Sequence, residues 1–164
     1  MTPTRPVGLV AWALGVGLVG WAALALAQSR GLHLAPVPPL VIVVELFLAA
    51  VVLVAGVRVR AYMQGKRPDL SGLQAARFVM LGKAASHTGA MLAGWYGAQA
   101  LLALPMAGYE SQHARALSAG IAALGGVALA AAGYFAERSG RIPPPGDGEQ
   151  ESAGRSVDPS GQSA

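Results

Sequence analysis

Residues 7–27 read VGLVAWALGVGLVGWAALALA, an unbroken run of twenty-one residues without an ionisable side chain. At about 1.5 Å of rise per residue, a helix of this length covers the roughly 30 Å hydrocarbon core of a bilayer. Three further long apolar segments follow, at about 40–57, 78–104 and 117–136. The sequence therefore predicts an all-α integral membrane protein, a bundle of four transmembrane helices.

The composition supports the membrane class. Hydrophobic residues make up 54% of the chain and charged residues 12%, about half the charged share that is usual in a soluble domain. The formal charge of +4 comes from basic residues beside the apolar segments rather than from a stripe on one helix, so nucleic acid is not an expected partner. Because the chain has no cysteine, it forms no disulfide, thiolate metal site or Cys nucleophile.

The basic residues predict the topology. Five of them lie between the second and third spans: Arg58, Arg60, Lys66, Arg67 and Arg77. Arg5 precedes the first span and Arg138 and Arg141 follow the last, whereas the other two connections carry only Arg30 and Arg115. By the positive-inside rule, we expect a multi-pass protein of the cell membrane with both termini in the cytoplasm.

The connections and the tail set the limits of the domain. Ser71 and Gln74 have the spacing of a capping box, which predicts that a helix begins there and continues into the third span. The segment 139–164 is rich in Pro, Gly and Ser and has no apolar run. We therefore predict one transmembrane domain over residues 1–138 and a disordered cytoplasmic tail over 139–164.

A cleaved signal peptide is the alternative interpretation of the first span. Ala25-Leu26-Ala27 before Gln28 resembles a signal-peptidase site, and Arg5 supplies a minimal basic start. The apolar run is longer than the roughly 7–15 residues of a usual signal core. We therefore expect the segment to be retained as a span.

Three ionisable residues lie inside predicted spans: Glu45, Lys83 and His87. A charge at the bilayer centre costs about 2.5–3.5 kcal/mol even on insertion scales, which makes these residues the functional candidates. Counted from the span ends, Glu45 differs in depth by about 8 Å from His87 and about 14 Å from Lys83. The functional interpretation is a Glu45 and His87 pair that lines a polar cavity and binds a solute or exchanges protons.

Each of the three also has a purely structural interpretation. The stem of Lys83 can reach the headgroups by snorkelling, which needs no partner. Glu45 can be a neutral carboxyl that donates one interhelical hydrogen bond, and His87 a neutral imidazole bonded to a neighbouring helix. These alternatives stay open at the level of sequence.

Motifs for chemistry are missing. His33 and His113 stand alone in their connections, so no metal site is expected. The chain has no P-loop, nucleophile elbow or dinucleotide fingerprint, so we expect no cofactor and no catalytic residues. An enzyme that uses His87 and Glu45 as acid and base is the weakest alternative.

Small residues predict how the helices pack. They follow the third span at helical spacing: Gly82, Ser86, Gly89, Ala90 and Gly94. Such ridges let membrane helices approach closely, so we expect the third helix to lie at the centre of the bundle.

Three blocks carry a resemblance to a known family: Thr2-Pro3-Thr4-Arg5, Glu45 leading to Arg58-Val59-Arg60, and Ala75-Ala76-Arg77 through Lys83-Ala84-Ala85-Ser86 to Gly89-Ala90 and Gly94. Over roughly residues 2–137 the chain resembles an uncharacterised actinobacterial family of small four-span membrane proteins, a domain of unknown function. The resemblance implies a gene near folate-biosynthesis genes and assigns no reaction.

The expected function is that of a non-enzymatic component of a membrane complex. It would pack with itself or another membrane protein through the third helix, with Arg77 and Lys83 among the basic residues held against anionic headgroups. The expected partners are the lipid bilayer and a second copy or another membrane protein. The alternative is a small transporter or channel subunit that uses Glu45 and His87 as an intramembrane polar pathway.

Overall fold

The computed structural model describes residues 6–32, 35–64, 72–106 and 108–140. The described chain is helical: α1 (Pro6–Ser29), α2 (Pro39–Met63), α3 (Gly72–Ala103), a short 3₁₀ turn (Leu104–Met106) and α4 (Glu110–Ser139). This confirms the all-α prediction. Several predicted features fall outside the described residues: Arg5, His33, Lys66, Arg67, Ser71, Arg141 and nearly all of the tail.

The helices extend past the predicted spans, mostly at their polar ends. Arg58 and Arg60, predicted to lie in a connection, belong to the last turns of α2. Arg115, predicted in the connection before the last span, lies inside α4. A charged or small polar residue interrupts the apolar run but does not terminate the helix, because the backbone hydrogen bonds do not depend on the polarity of the side chain. The helices are therefore longer than the apolar segments that the sequence marks.

Three of the helices, α1, α2 and α4, are long and apolar enough to cross a membrane. Their surfaces expose many large apolar side chains, as lipid-facing helices do. Helix α3 is not among the three, since Arg77, Lys83, His87 and Gln99 lower its hydropathy. The four-span bundle therefore stays a prediction that depends on α3.

The connection from α1 to α2 is built by glycine and proline. Gly31 closes α1 with φ at 79°, a conformation that favours glycine. Its N–H donates to the Gln28 carbonyl at 2.9 Å, and the Leu32 N–H donates to the Ala27 carbonyl at 3.0 Å, which is the Schellman pattern. Pro39 then takes the first position of α2, where a helix needs no N–H donor.

Helix α3 holds the bundle together. It packs most extensively against α4, then against α1, and only lightly against α2, which leans on α4 instead. Helices α2 and α4 run in the same direction, since Glu45 contacts Gly125 and, further along both helices, Gly56 contacts Ala136. Contacts along α3 and α4 run in opposite senses, so the helices alternate in direction. The start of α1 and the end of α4 therefore lie at the same end of the bundle.

Glycines bring the backbones of α3 and α4 into contact. A β-carbon on Gly126 would lie 2.6 Å from the Ala93 nitrogen and 2.9 Å from the Gly89 oxygen. A β-carbon on Gly82 would lie 2.9 Å from the Gly133 oxygen. No larger residue fits at these crossings, so the small residues of α3 are used inside the molecule. Gly94 of the same helix is covered in turn by Ala13 and Gly17 of α1.

Candidate functional site

Glu45 lies in the interior of the bundle. Its side chain is only 3% exposed, and neither carboxylate oxygen has a hydrogen-bond partner among the described residues. The carboxylate lies against α4, where a β-carbon on Gly125 would come within 2.5 Å of Oε2. Gly125 therefore provides the space that the carboxylate occupies.

The surroundings of Glu45 are apolar. One cluster, which includes Ala49 and Leu129, packs on one side along the bundle, and a second, which includes Val37 and Ala122, packs on the other. Tyr96 packs against the second cluster. An ionised carboxylate without a partner is very costly in such a setting, whereas a neutral carboxyl costs a few kcal/mol at most.

His87 is turned onto its own helix. Its Nδ1–H donates to the Lys83 carbonyl at 2.9 Å, and the Ser86 hydroxyl lies 3.4 Å from the same nitrogen. Ser86 lies level with Gly133, eight residues beyond Gly125 along α4, which corresponds to about 12 Å.

The pair that depth alone predicted, Glu45 with His87, is thus not formed. The depth estimate assumed that α2 and α3 start at the membrane boundaries. The observed separation along the bundle, about 12 Å, is larger than the roughly 8 Å of that estimate and too long for a hydrogen bond. His87 also satisfies its Nδ1 within one turn, which leaves that nitrogen without a need for the carboxylate.

Lys83 and Glu137 lie at the opposite end of the bundle from Tyr96. Glu137 is buried, and its backbone nitrogen would lie 3.0 Å from a β-carbon on Gly82, the neighbour of Lys83. Both Lys83 and Glu137 have interaction partners. Lys83 is therefore held by a contact within the protein.

The structure adds a buried cation that sequence reasoning placed in a loop. Arg115 is 4% exposed, and its Nε and Nη2 have no hydrogen-bond partner within the described ranges. It lies eleven residues before Gly126, at helical spacing with the buried Ala119 and Ala122. Its burial could have been predicted by continuing the small-residue face of α4 toward the N-terminus at that spacing.

Ser118 links the start of α2 to α4. Its hydroxyl donates to the Arg115 carbonyl at 3.2 Å and accepts the Val37 N–H, also at 3.2 Å. Val37 precedes the first turn of α2, so this bond fixes how α2 enters the bundle.

The surface carries an apolar groove between α1 and α3, with a cavity volume of about 420 Å³. Its floor and walls include Leu14, Gly17, Trp21, Gly94, Gly97 and Leu101. A β-carbon on Gly97 would meet nothing within 4 Å, so the groove is open above this residue.

Of the predicted headgroup residues, Arg58, Arg60 and Arg77 are exposed near the adjacent ends of α2 and α3. In the described parts of the chain, no group of three His, Asp or Glu side chains could hold a metal ion.

Comparison with known proteins gives one match. A family model described as "Protein of unknown function (DUF3180)" matches residues 9–144, which include almost all of the four helices. No curated protein and no solved structure matches the chain.

Proposed function

Because the family model matches most of its length, the chain belongs to the DUF3180 family of unknown function, and we propose that it is a non-enzymatic membrane protein that assembles with a second copy of itself. The observation that carries the proposal is the open groove between α1 and α3. Membrane helices associate by close packing on small residues, because lipid provides no hydrophobic driving force between them.

The proposal includes α3 as a fourth span. Helix α3 is covered by α4 on one side and by α1 on another, and both of these helices are apolar enough to face lipid. A helix that neighbours cover needs less hydrophobicity than one surrounded by lipid. Its 32 residues measure about 48 Å, which is more than the hydrocarbon core requires.

The contact surface differs from the one that sequence analysis favoured. Gly82, Ser86 and Gly89 face α4, so they are not available to a partner, whereas Gly94 packs on α1 and also lines the groove. At Gly97 the groove offers a glycine that lies open beside apolar walls. We assign the second copy to this groove because one wall, α1, is itself a glycine-interrupted apolar helix able to enter it.

Counting photobleaching steps of singly labelled protein in dilute lipid vesicles tests the proposal. We expect two steps for the wild type and mostly one for Gly97→Leu, which fills the groove. Gly120→Leu is the matched control, since Gly120 also has nothing within 4 Å but lies on α4, outside the groove. One-step bleaching of the wild type, or two-step bleaching of Gly97→Leu, would contradict self-assembly at this groove.

A second candidate, a small transporter or channel subunit, is favoured by Glu45. A buried carboxyl without a partner at membrane depth is the kind of group that proton pathways use. His87 is not part of this proposed proton pathway, because it lies about 12 Å from Glu45 along the bundle. Vesicles that contain the protein should then conduct protons under a pH gradient, and Glu45→Gln should abolish the flux; flux that is absent or unchanged by Glu45→Gln excludes the candidate.

Several expectations remain proposals here. They are a place in the cell membrane with both termini in the cytoplasm, an actinobacterial origin, and a gene near folate-biosynthesis genes. Reporter fusions at both ends test the orientation, since the start of α1 and the end of α4 lie at the same end of the bundle.

A further inference from the structure

A second groove separates α2 from α3, with a cavity volume of about 320 Å³. Its walls include Val51 and Val54 of α2 and Phe78 and Leu81 of α3. The groove exists because α2 leans on α4 and touches α3 only lightly. Apart from Arg58, its lining is apolar, as that of a site for a hydrocarbon chain would be.

One end of this groove is basic. Arg58 lines it, eight residues along α2 from Ala50 at the other end of the lining, or about 12 Å. This length is close to one leaflet's share of the hydrocarbon core, about 15 Å. Arg58 stands five residues before the end of α2 at Met63, where a guanidinium reaches the depth of the headgroups.

Further positive charge lies at the same end. Arg60 is in the last turn of α2 and Arg77 is in the second turn of α3, and both are exposed. Arg77 is four residues before Leu81 of the groove wall, so the two share one face of α3. Among the residues that the structure describes, Arg58, Arg60 and Arg77 have no acidic partner. Because all three side chains are exposed, an anion can reach them.

From this combination we infer that the α2–α3 groove binds one acyl chain of an anionic phospholipid, whose phosphate lies on Arg58 with Arg77 beside it. The apolar walls hold the chain, and the guanidinium fork of Arg58 suits a phosphate. The inference rests on the proposed function only in requiring that the protein lies in a bilayer. It does not require self-assembly.

Native mass spectrometry of the protein released from nanodiscs of mixed phosphatidylglycerol and phosphatidylcholine tests the inference. We expect one phosphatidylglycerol to remain bound to each wild-type chain. Arg58→Gln should lower its retention about fivefold, the factor that corresponds to about 1 kcal/mol for one basic residue at an anionic surface. Arg58→Lys should restore part of the retention.

Two matched controls separate the site from general attraction. Arg138→Gln removes another exposed basic residue at the same end of the bundle, and Val43→Phe enlarges an exposed residue of α2 outside the groove. Val54→Phe, which fills the groove, should lower retention, whereas both controls should leave it unchanged. Equal retention in Arg58→Gln and Arg138→Gln, or in Val54→Phe and Val43→Phe, overturns the site.

The same spectra report the number of chains in each particle. If the lipid is lost while the number of chains per particle is unchanged, the lipid site is rejected and self-assembly at the α1–α3 groove is retained. A single chain that retains its lipid would instead reject self-assembly and keep the lipid site.

Discussion

The carboxylate of Glu45 lies against the backbone of Gly125, at the place where any larger residue would put its β-carbon. We therefore expect Gly125→Ala to destabilise the bundle by about 1–3 kcal/mol, the usual cost of overpacking. Unfolding in mild detergent, followed by circular dichroism, measures this change. Gly120→Ala is the control, because a β-carbon there meets nothing within 4 Å.

A double-mutant cycle tests whether the carboxylate is the cause. In a Glu45→Ala background the space beside Gly125 is empty, so Gly125→Ala should then cost little. We expect a coupling of about 1 kcal/mol or more between the two substitutions. Additive effects would mean that Glu45 does not fill this space.

The α3–α4 crossing gives a second prediction. Gly126→Val should destabilise the protein by several kcal/mol, because its side chain would collide with backbone atoms at Ala93 and Gly89 that cannot move separately from α3. Gly97→Val, in open space on α3, should change stability by about 1 kcal/mol or less. Similar melting temperatures for the two variants in detergent would contradict the observed crossing.

Removing the Ser118 hydroxyl should loosen the entry of α2. Ser118→Ala leaves the Val37 N–H without its acceptor, so we expect a loss of about 1 kcal/mol and faster amide exchange at Val37. Ser139→Ala serves as control, since that hydroxyl bonds only within its own helix, to the Phe135 carbonyl. Unchanged exchange at Val37 would show that the link is dispensable.

Arg115 offers a prediction of opposite sign. Its buried Nε and Nη2 have no partner in the described parts of the chain, so Arg115→Met removes a desolvated charge without breaking an ion pair. Such replacements are often neutral or stabilising by about 1–4 kcal/mol. A marked loss of thermal stability in Arg115→Met would reveal an anionic partner of Arg115.

The helical class could be predicted from the sequence because hydrophobic length alone determines it, as the run over 7–27 shows. The helix ends could not, since Arg58, Arg60 and Arg115 end an apolar run without ending the hydrogen-bonded helix. The burial of Glu45 followed from its place in a span. The neighbours of Glu45 could not be predicted, because they depend on the register between α2 and α4. Gly125 and the Ser118 hydrogen bond determine that register. The orientation of the His87 side chain could not be predicted either, because the Lys83 carbonyl on the same helix competes with any distant hydrogen-bond partner.

The order of the helices along the chain has a consequence for biosynthesis. Helix α1 packs on α3, and α2 packs mainly on α4, so each of the first two helices is made before the helix that receives it. Until α4 leaves the ribosome, Glu45 has no Gly125 to cover it, and its carboxyl stays outside the packed interior.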